Sequence, residues 1–188
     1  MGKLVVGITG ASGAIYAQRF LMRAAAAYEL IYAIASDQAQ QVARTELDID
    51  LRKWLGTYAN LELLDPKNYY TPPASGSFVH DGMVIVPCSM GTAGRIANGI
   101  SDDLLTRCAD VCLKEGRKLV VVPREMPWNA IMLRNLTALA EAGATVLPAC
   151  PAWYHAPRSV EDLADTVVAR ILQSLGIRQE IMKAWMEE

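Results

Sequence analysis

The chain has 188 residues, 18 of them basic and 20 acidic, for a formal net charge of −2. That length fits one domain with its own core, and the near-balanced charge supplies no overall field to attract nucleic acid or an anionic membrane. Four cysteines (Cys88, Cys108, Cys112 and Cys150) stand in apolar surroundings without a C-x-x-C pair, and only His80 and His155 could join them as ligands, so reduced thiols and no metal site are expected. No run of about 18 strongly apolar residues suggests a spanning helix. Lys3 and the apolar residues after it resemble a leader only superficially, because Gly7, Gly10 and Gly13 interrupt the run; a cytoplasmic protein is the expectation.

The first element is a buried strand, Leu4-Val5-Val6, and Gly7, Gly10 and Gly13 then let the backbone turn tightly into a helix starting near Ser12. Unpaired N–H groups and the positive end of the helix dipole suit that start to an anion. The spacing is G-x-x-G-x-x-G rather than the dinucleotide G-x-G-x-x-G, which favours a mononucleotide phosphate over a pyrophosphate; a plain turn remains open.

Ile15 to Ala27 reads as an alanine-rich helix packed closely on a sheet, and Leu30 to Ala35 as the second strand. Ser36 or Asp37 caps the next helix, Gln38 to Leu47; Asp37 also stands where a dinucleotide enzyme would carry its ribose carboxylate. From Asp48 to Phe78 the pattern weakens to a loop with a short strand at Leu61 to Leu64, and so long a loop suggests function or a partner subunit.

Gly82 to Pro87 reads as a central strand turning through Cys88-Ser89-Met90-Gly91-Thr92 into a helix ending at Asn98. This second hydroxyl- and glycine-bearing turn again suits a phosphate or a ring edge. Ser101 or Asp102 starts a helix that turns Cys108 and Cys112 to the core; Lys118 to Pro123 is a strand delivering Arg124 and Glu125. Trp128 to Ala142 is a helix, Thr145 to Leu147 the last strand, 148–157 a rigid aromatic loop, and Ser159 with Asp162 resembles a capping box before a helix ended by Gly176.

This alternation predicts an α/β chain: a single-domain open parallel sheet with helices on both faces, binding its ligand beyond the carboxyl ends of the strands. The main domain spans 1–176, and the tail 177–188, which lacks a core pattern of its own, is expected to pack on a neighbouring subunit.

Several motifs together carry a resemblance: Thr9-Gly10-Ala11-Ser12-Gly13, Ala74-Ser75-Gly76-Ser77, Pro87-Cys88-Ser89-Met90-Gly91-Thr92, Leu113-Lys114-Glu115, Val122-Pro123-Arg124-Glu125-Met126-Pro127, and Tyr154-His155 followed by Val168-Ala169-Arg170. Over nearly its whole length the chain resembles the UbiX/Pad1 flavin prenyltransferases, a family once labelled aromatic-acid decarboxylases. The resemblance implies a flavodoxin-like or Rossmann-like homo-oligomer, usually a dodecamer. Its implied reaction joins the dimethylallyl group of dimethylallyl monophosphate to N5 and C6 of reduced FMN, making prenylated FMN for UbiD-type decarboxylases.

By motif position, the resemblance implies that Gly10, Ala11, Ser12, Ser36, Ser89, Met90, Gly91, Thr92 and Arg124 hold FMN. Lys114, Arg124, Glu125, Tyr154 and Arg170 would hold the allylic phosphate. Cations and a hydroxyl stabilise a departing phosphate without a metal. A solvated helix position for Arg170 and a helix C-terminal cation for Lys114 are the plainer alternatives.

Glu125 is the first choice for the proton relay that ring closure requires, with Glu46, in the family's Thr-Glu position, as the second and Ser12 counted with the catalytic set. Trp185 falls near a family tryptophan whose ring face stabilises an allylic cation, although subunit packing explains it as well. Gly91, where relatives often carry a larger residue, and Trp128-Asn129, where smaller residues are common, depart from the pattern and leave the exact donor open.

Two other readings stand beside this one. FMN-dependent cysteine decarboxylases share the fold and use a histidine base, for which His80 lies at roughly the right place, but the chain lacks their P-x-M-N-x-x-M-W signature. A non-catalytic FMN-binding module would have no use for the second phosphate set, Lys114, Tyr154 and Arg170.

Overall fold

Strand β1 (Lys3–Ile8) runs in the middle of a parallel sheet, paired on one side with β2 (Leu30–Ala35) and on the other with β4 (Gly82–Cys88). Outside these lie β3 (Leu61–Leu64), β5 (Leu119–Pro123) and β6 (Thr145–Val146), giving the order β3-β2-β1-β4-β5-β6. In this computed structural model, which describes residues 2–182, the strand pairings are all parallel among the described residues, and Gly7 sits opposite both Ile34 and Ile85. The chain reverses its direction of travel across the sheet between β1 and β4, which opens a crevice beyond their carboxyl ends.

Burial on both faces explains the near-continuous apolar strands. Leu4, Val6 and Ile8 turn to one face, where they meet α1 (Ala14–Ala27), α2 (Asp37–Leu47), α3 (Leu51–Leu55) and α7 (Val160–Leu175). Val5 turns to the other, with α4 (Met90–Ala97), α5 (Leu104–Lys114) and α6 (Ala130–Glu141). Alanines at 14, 17, 24, 39 and 43 keep α1 and α2 close to the sheet. A partly buried ion pair fastens α1 to α7: Arg19 Nε and Nη2 donate to the two Asp165 oxygens at 2.7 and 2.5 Å.

The stretch between β2 and β4 is more ordered than its composition indicates. Asp50 accepts from Lys53 N and caps the short helix α3, which the sequence pattern leaves as loop. A 3-10 turn at Pro72–Ala74 follows, held by Arg107 Nε donating to Ala74 O at 3.1 Å and by Arg117 donating to the carbonyls of Gly76 and Phe78. Helix starts shift by a residue or two from expectation because of their caps. Asp103 forms a capping box with Thr106, so α5 begins after it, and Asn129 accepts from Met132 N, so α6 begins at Ala130 rather than Trp128.

At the carboxy-terminal end, Ile177 and Ile181 pack on the chain's own first core cluster. Residues 183–188, Trp185 among them, lie outside the described residues.

Candidate active site

The Gly10–Gly13 turn does not leave its helix start free for an anion. Gly13 N donates to Glu46 at 2.8 Å and Ala14 N donates to the same carboxylate at 2.8 Å, so a side chain from the last turn of α2 caps α1. Gly13 has φ 105°, in the left-handed region, and offers no side-chain cap of its own. The expected phosphate seat at this helix start is therefore filled by Glu46, because a carboxylate satisfies the same orphan donors.

Burial works against the Glu46 charge, but the Ser12 hydroxyl and the N–H groups of Ala14 and Gly13 outweigh it, and Arg124 adds attraction; the carboxyl titrates below the usual glutamate range. Arg124 in turn reaches back across the sheet edge, its Nε donating to Ser12 O at 3.0 Å. Tyr16 is drawn into the same group. Burial and nearby Cys150 push its phenol up, against the pull of Arg124. Ser12, Glu46 and Arg124 thus form one cluster at the carboxyl edge.

Beside this cluster opens a cleft of about 600 Å³, lined by Thr9, Gly10, Ser36, Ser89, Thr92 and Arg95 among others. Two helices aim their starts into it. Ser36 caps α2, accepting from Ala39 N at 3.1 Å, and Ser89 caps α4, accepting from Thr92 N at 3.3 Å. Each cap leaves earlier first-turn N–H groups without an intrahelical partner. Asp37 is not the cap; it pairs with Arg52 at 2.8 Å. A Cβ on Gly10 would lie 2.3 Å from Gln38 Cβ, so only glycine admits this approach of the turn to α2.

At Gly91 a Cβ would meet nothing within 4 Å, which leaves the α4 side of the cleft open. Serine and threonine hydroxyls, glycine-lined walls and two helix starts fit a mononucleotide phosphate and its polyol chain. The other void near the turn, lined by Ala11, Ala14, Ala39 and Ala43 among others, has room for about 10 Å³, no more than a water.

Thr9, which opens the first motif, and Arg95 are given no site role by the sequence. Thr9 donates to Pro87 O at 2.9 Å and accepts from Ser89 N at 2.7 Å, tying the ends of β1 and β4. Arg95 donates to Asp102 at 2.5 Å, to Asp103 at 2.8 Å and to Thr92 Oγ1 at 3.3 Å. The spacing from Thr92 to Arg95, three residues on one helix face, followed by the Asp102-Asp103 pair, is the sequence pattern that marks this group.

The remaining expected residues divide between the two edges of the sheet. Glu125 follows β5 at the carboxyl edge, exposed, accepting from its neighbour Met126 N at 3.0 Å. Tyr154 lies in the loop beyond β6, its ring 4.2 Å from that of His155. Lys114 instead ends α5, which runs antiparallel to the strands it joins, so it stands at the amino edge, paired with Glu115. Arg170 lies in the second half of α7, donating to Gln173 Oε1 at 2.7 Å, and Lys118, just before β5, donates to Leu175 O near that helix's end. Within one chain, Lys114 and Arg170 are not brought to Arg124 and Glu125.

His80 is also at the amino edge. It is buried, its Nδ1 is 3.0 Å from Gly82 O, and burial lowers its pKa against that hydrogen bond. It has no path to the cleft, which removes the geometric basis for a histidine base there. Among the described residues no group of His, Cys, Asp and Glu fits a metal, and no helix is long and apolar enough to cross a membrane.

The sequence model of the Flavoprotein family matches residues 2–172. The flavin prenyltransferase UbiX of Methanocaldococcus jannaschii is 44% identical over 97% of this chain and 98% of its own length. That of Synechocystis is 45% identical over 97% and 95%. Among solved structures, AnUbiX (PadA1) in complex with FMN and dimethylallyl pyrophosphate superposes with TM-score 0.92 at 34% identity, covering 100% of this chain and 98% of that one. The dodecameric FMN-dependent UbiX-like decarboxylase of Escherichia coli O157:H7 gives TM-score 0.92 at 37% identity, covering 98% and 100%. A cysteine decarboxylase from thioviridamide biosynthesis, at TM-score 0.65 and 19% identity over 94% of this chain and 99% of its own, shares the fold alone. Matched at 44–45% identity along almost the whole of both chains, the chain belongs to the UbiX flavin prenyltransferases.

Proposed function

We propose that this chain transfers the dimethylallyl group of dimethylallyl monophosphate to reduced FMN. The observation that carries the reading is the anchored cluster of Ser12, Glu46 and Arg124 at the rim of a hydroxyl-lined cleft of mononucleotide size. When bound, reduced FMN supplies the nitrogen and ring carbon to which the allylic group becomes attached.

Gly10, Ala11, Ser36 and the Ser89 to Thr92 turn would hold the phosphate and side chain of FMN, with the phosphate between the starts of α2 and α4. Arg124, fixed by Ser12 O, lies where it can pair with the departing phosphate of the donor, and positive charge there favours cleavage of the allylic carbon–oxygen bond. Glu46 is held ionised by Ser12 and two backbone N–H groups, so it can accept the proton released on ring closure, through the Ser12 hydroxyl. Glu125, adjoining Arg124 and free of any salt bridge among the described residues, can relay that same proton onward to the leaving phosphate.

We infer further that Lys114, Tyr154 and Arg170 complete the phosphate site across subunit boundaries, because two of the three lie away from the cleft of their own chain. The ordered 71–77 loop beside Lys114 and the 177–188 tail, including Trp185, would be interface elements of a homo-oligomer, a dodecamer by likeness to the E. coli neighbour. The product would serve a UbiD-type decarboxylase. Three fully buried free cysteines suit a cytoplasmic setting.

Anaerobic incubation with reduced FMN and dimethylallyl monophosphate, followed by mass analysis of the extracted flavin, tests the reaction. A parallel reaction with the pyrophosphate, the ligand of the AnUbiX structure, distinguishes the donors. Flavin of unchanged mass, from protein shown to bind FMN, would sink the reading.

A further inference from the structure

Beyond the flavin-contacting turns, one charged group on the cleft wall is left without a role. Arg95 projects from the last turn of α4 into the wall of the cleft, about one-third exposed, at 32%. Its Nη1 is divided between Asp102 at 2.5 Å and Asp103 at 2.8 Å, and its Nη2 donates to Thr92 Oγ1 at 3.3 Å. Asp103 is itself fixed as the cap of α5, accepting from Thr106 N at 2.8 Å. The guanidinium is therefore held from behind by an acidic clamp and presents an Nη2 N–H to Thr92.

Hydrogen-bond accounting shows what that N–H does. The Thr92 and Ser89 hydroxyl oxygens are 3.0 Å apart, so one of the two protons lies between them. Ser89 Oγ already accepts from Thr92 N. If Ser89 donates to Thr92, then Thr92 Oγ1 accepts from both Ser89 and Arg95, and its own proton turns outward. If Thr92 donates instead, Ser89 Oγ accepts twice and the Ser89 proton turns outward. Either way the pair offers one hydroxyl donor. In either arrangement one of the pair's four lone pairs stays free; Arg95 fills a second, so it halves the acceptors the pair would otherwise turn to the cleft, and its charge polarises the Thr92 hydroxyl as a donor. A phosphate oxygen or a flavin carbonyl accepts only, so the clamp favours such a group at this wall.

We propose that Arg95, held by Asp102 and Asp103, is a positioning residue that acts through Thr92 to fix the Ser89–Thr92 hydroxyl pair as a donor to the acceptor-only groups of the flavin. The role is separate from direct charge pairing. The two carboxylates leave the group as a whole with net negative charge, which by itself repels a phosphate. This proposal rests on the flavin reading of the cleft.

The test is a set of FMN titrations by fluorescence quenching on the intact oligomer, with initial rates of prenyl transfer on the same proteins. Wild type is titrated first; if it binds no FMN, the flavin reading itself fails and this proposal with it. Loss of a charge-assisted hydrogen bond predicts an FMN Kd raised about tenfold or more in Arg95→Met. Its KM for FMN rises in parallel, while kcat at saturating flavin stays within about threefold, since binding rather than the reacting atoms is affected.

Because Arg95 acts through Thr92, the double variant Arg95→Met with Thr92→Val should bind no worse than Thr92→Val alone. Restored affinity on adding Asp102→Asn to Arg95→Met would overturn the proposal, since Arg95 would then merely neutralise the acids. Additive losses in the double variant, or wild-type Kd in Arg95→Met, would overturn it as well.

Discussion

Glu46 and Ala14 are joined by a 2.8 Å hydrogen bond spanning 32 residues of sequence, and the same carboxylate also takes Gly13 N. One side chain thus has two duties: it caps a helix, and it stands beside Ser12 and Arg124 at the cleft rim. The two duties separate in Glu46→Gln. The amide keeps an acceptor for the α1 start, so stability in urea should fall by ~1 kcal/mol or less, the range of an impaired N-cap. The amide carries no proton, so prenyl transfer should slow by ~10²–10⁴ with FMN affinity little changed. Equal losses in stability and affinity, with the rate per bound flavin intact, would leave Glu46 as a cap only.

The same contacts predict how acid affects the fold. Glu46 titrates below the ordinary glutamate range when folded, as its hydrogen bonds outweigh burial. A folded pKa below the unfolded one means that its stabilisation is complete above the unfolded value, ~4.3, and is lost as pH falls through the folded value. The stability gap between wild type and Glu46→Gln should therefore be full near neutrality and close as pH drops below ~4. Chemical denaturation at stepped pH measures it; a gap that widens in acid contradicts the assignment.

Much of this arrangement is legible in the sequence because local rules and the global fold agree. Apolar strands bounded by glycine turns, and serines 36 and 89 before helices, locate the cleft without coordinates. The capping contact of Glu46 is not legible. Its partner N–H groups lie 32 and 33 residues away, and an exposed helix glutamate has no periodicity that marks it. The free anion seat expected at Gly13 fails for the same reason. Helix α3 is hidden because five residues are too few for a helical stripe, and only the Asp50 cap announces it. Lys114 and Arg170 read as site residues by motif, but motif position carries no information on which edge of the sheet, or which subunit, supplies them.

Gly91 offers a way to block the cleft without disturbing the fold. It lies in the first turn of α4 with nothing within 4 Å of the Cβ position. Leucine is a better helix former than glycine, so Gly91→Leu should hold or raise stability, by up to ~1 kcal/mol. A side chain projecting into the cleft should meanwhile weaken FMN binding by about tenfold or more, since it removes volume the ligand needs. Titration with FMN alongside thermal unfolding tests both halves. A stable variant with wild-type FMN affinity would move the flavin away from this wall.

Lys114 and Arg124 supply the sharpest test of a site shared between chains. They stand at opposite edges of one sheet, Lys114 closing α5 and Arg124 following β5, so a single phosphate cannot touch both within one subunit. If both stabilise the departing phosphate, one must come from a neighbour. Lys114→Met and Arg124→Met should then each be nearly inactive as pure oligomers, because each removes a cation from every site. Dissociated, mixed in equal amounts and reassembled, the two variants should regain activity. A randomly mixed site receives an intact Lys114 from one chain and an intact Arg124 from another in about a quarter of cases, since each interface samples both variants independently. Turnover near that fraction of wild type, appearing only after reassembly, is the expected result. If Lys114 and Arg124 served the same site from the same chain, no mixture could contain an intact site, and the reassembled oligomers would stay as inactive as their parents.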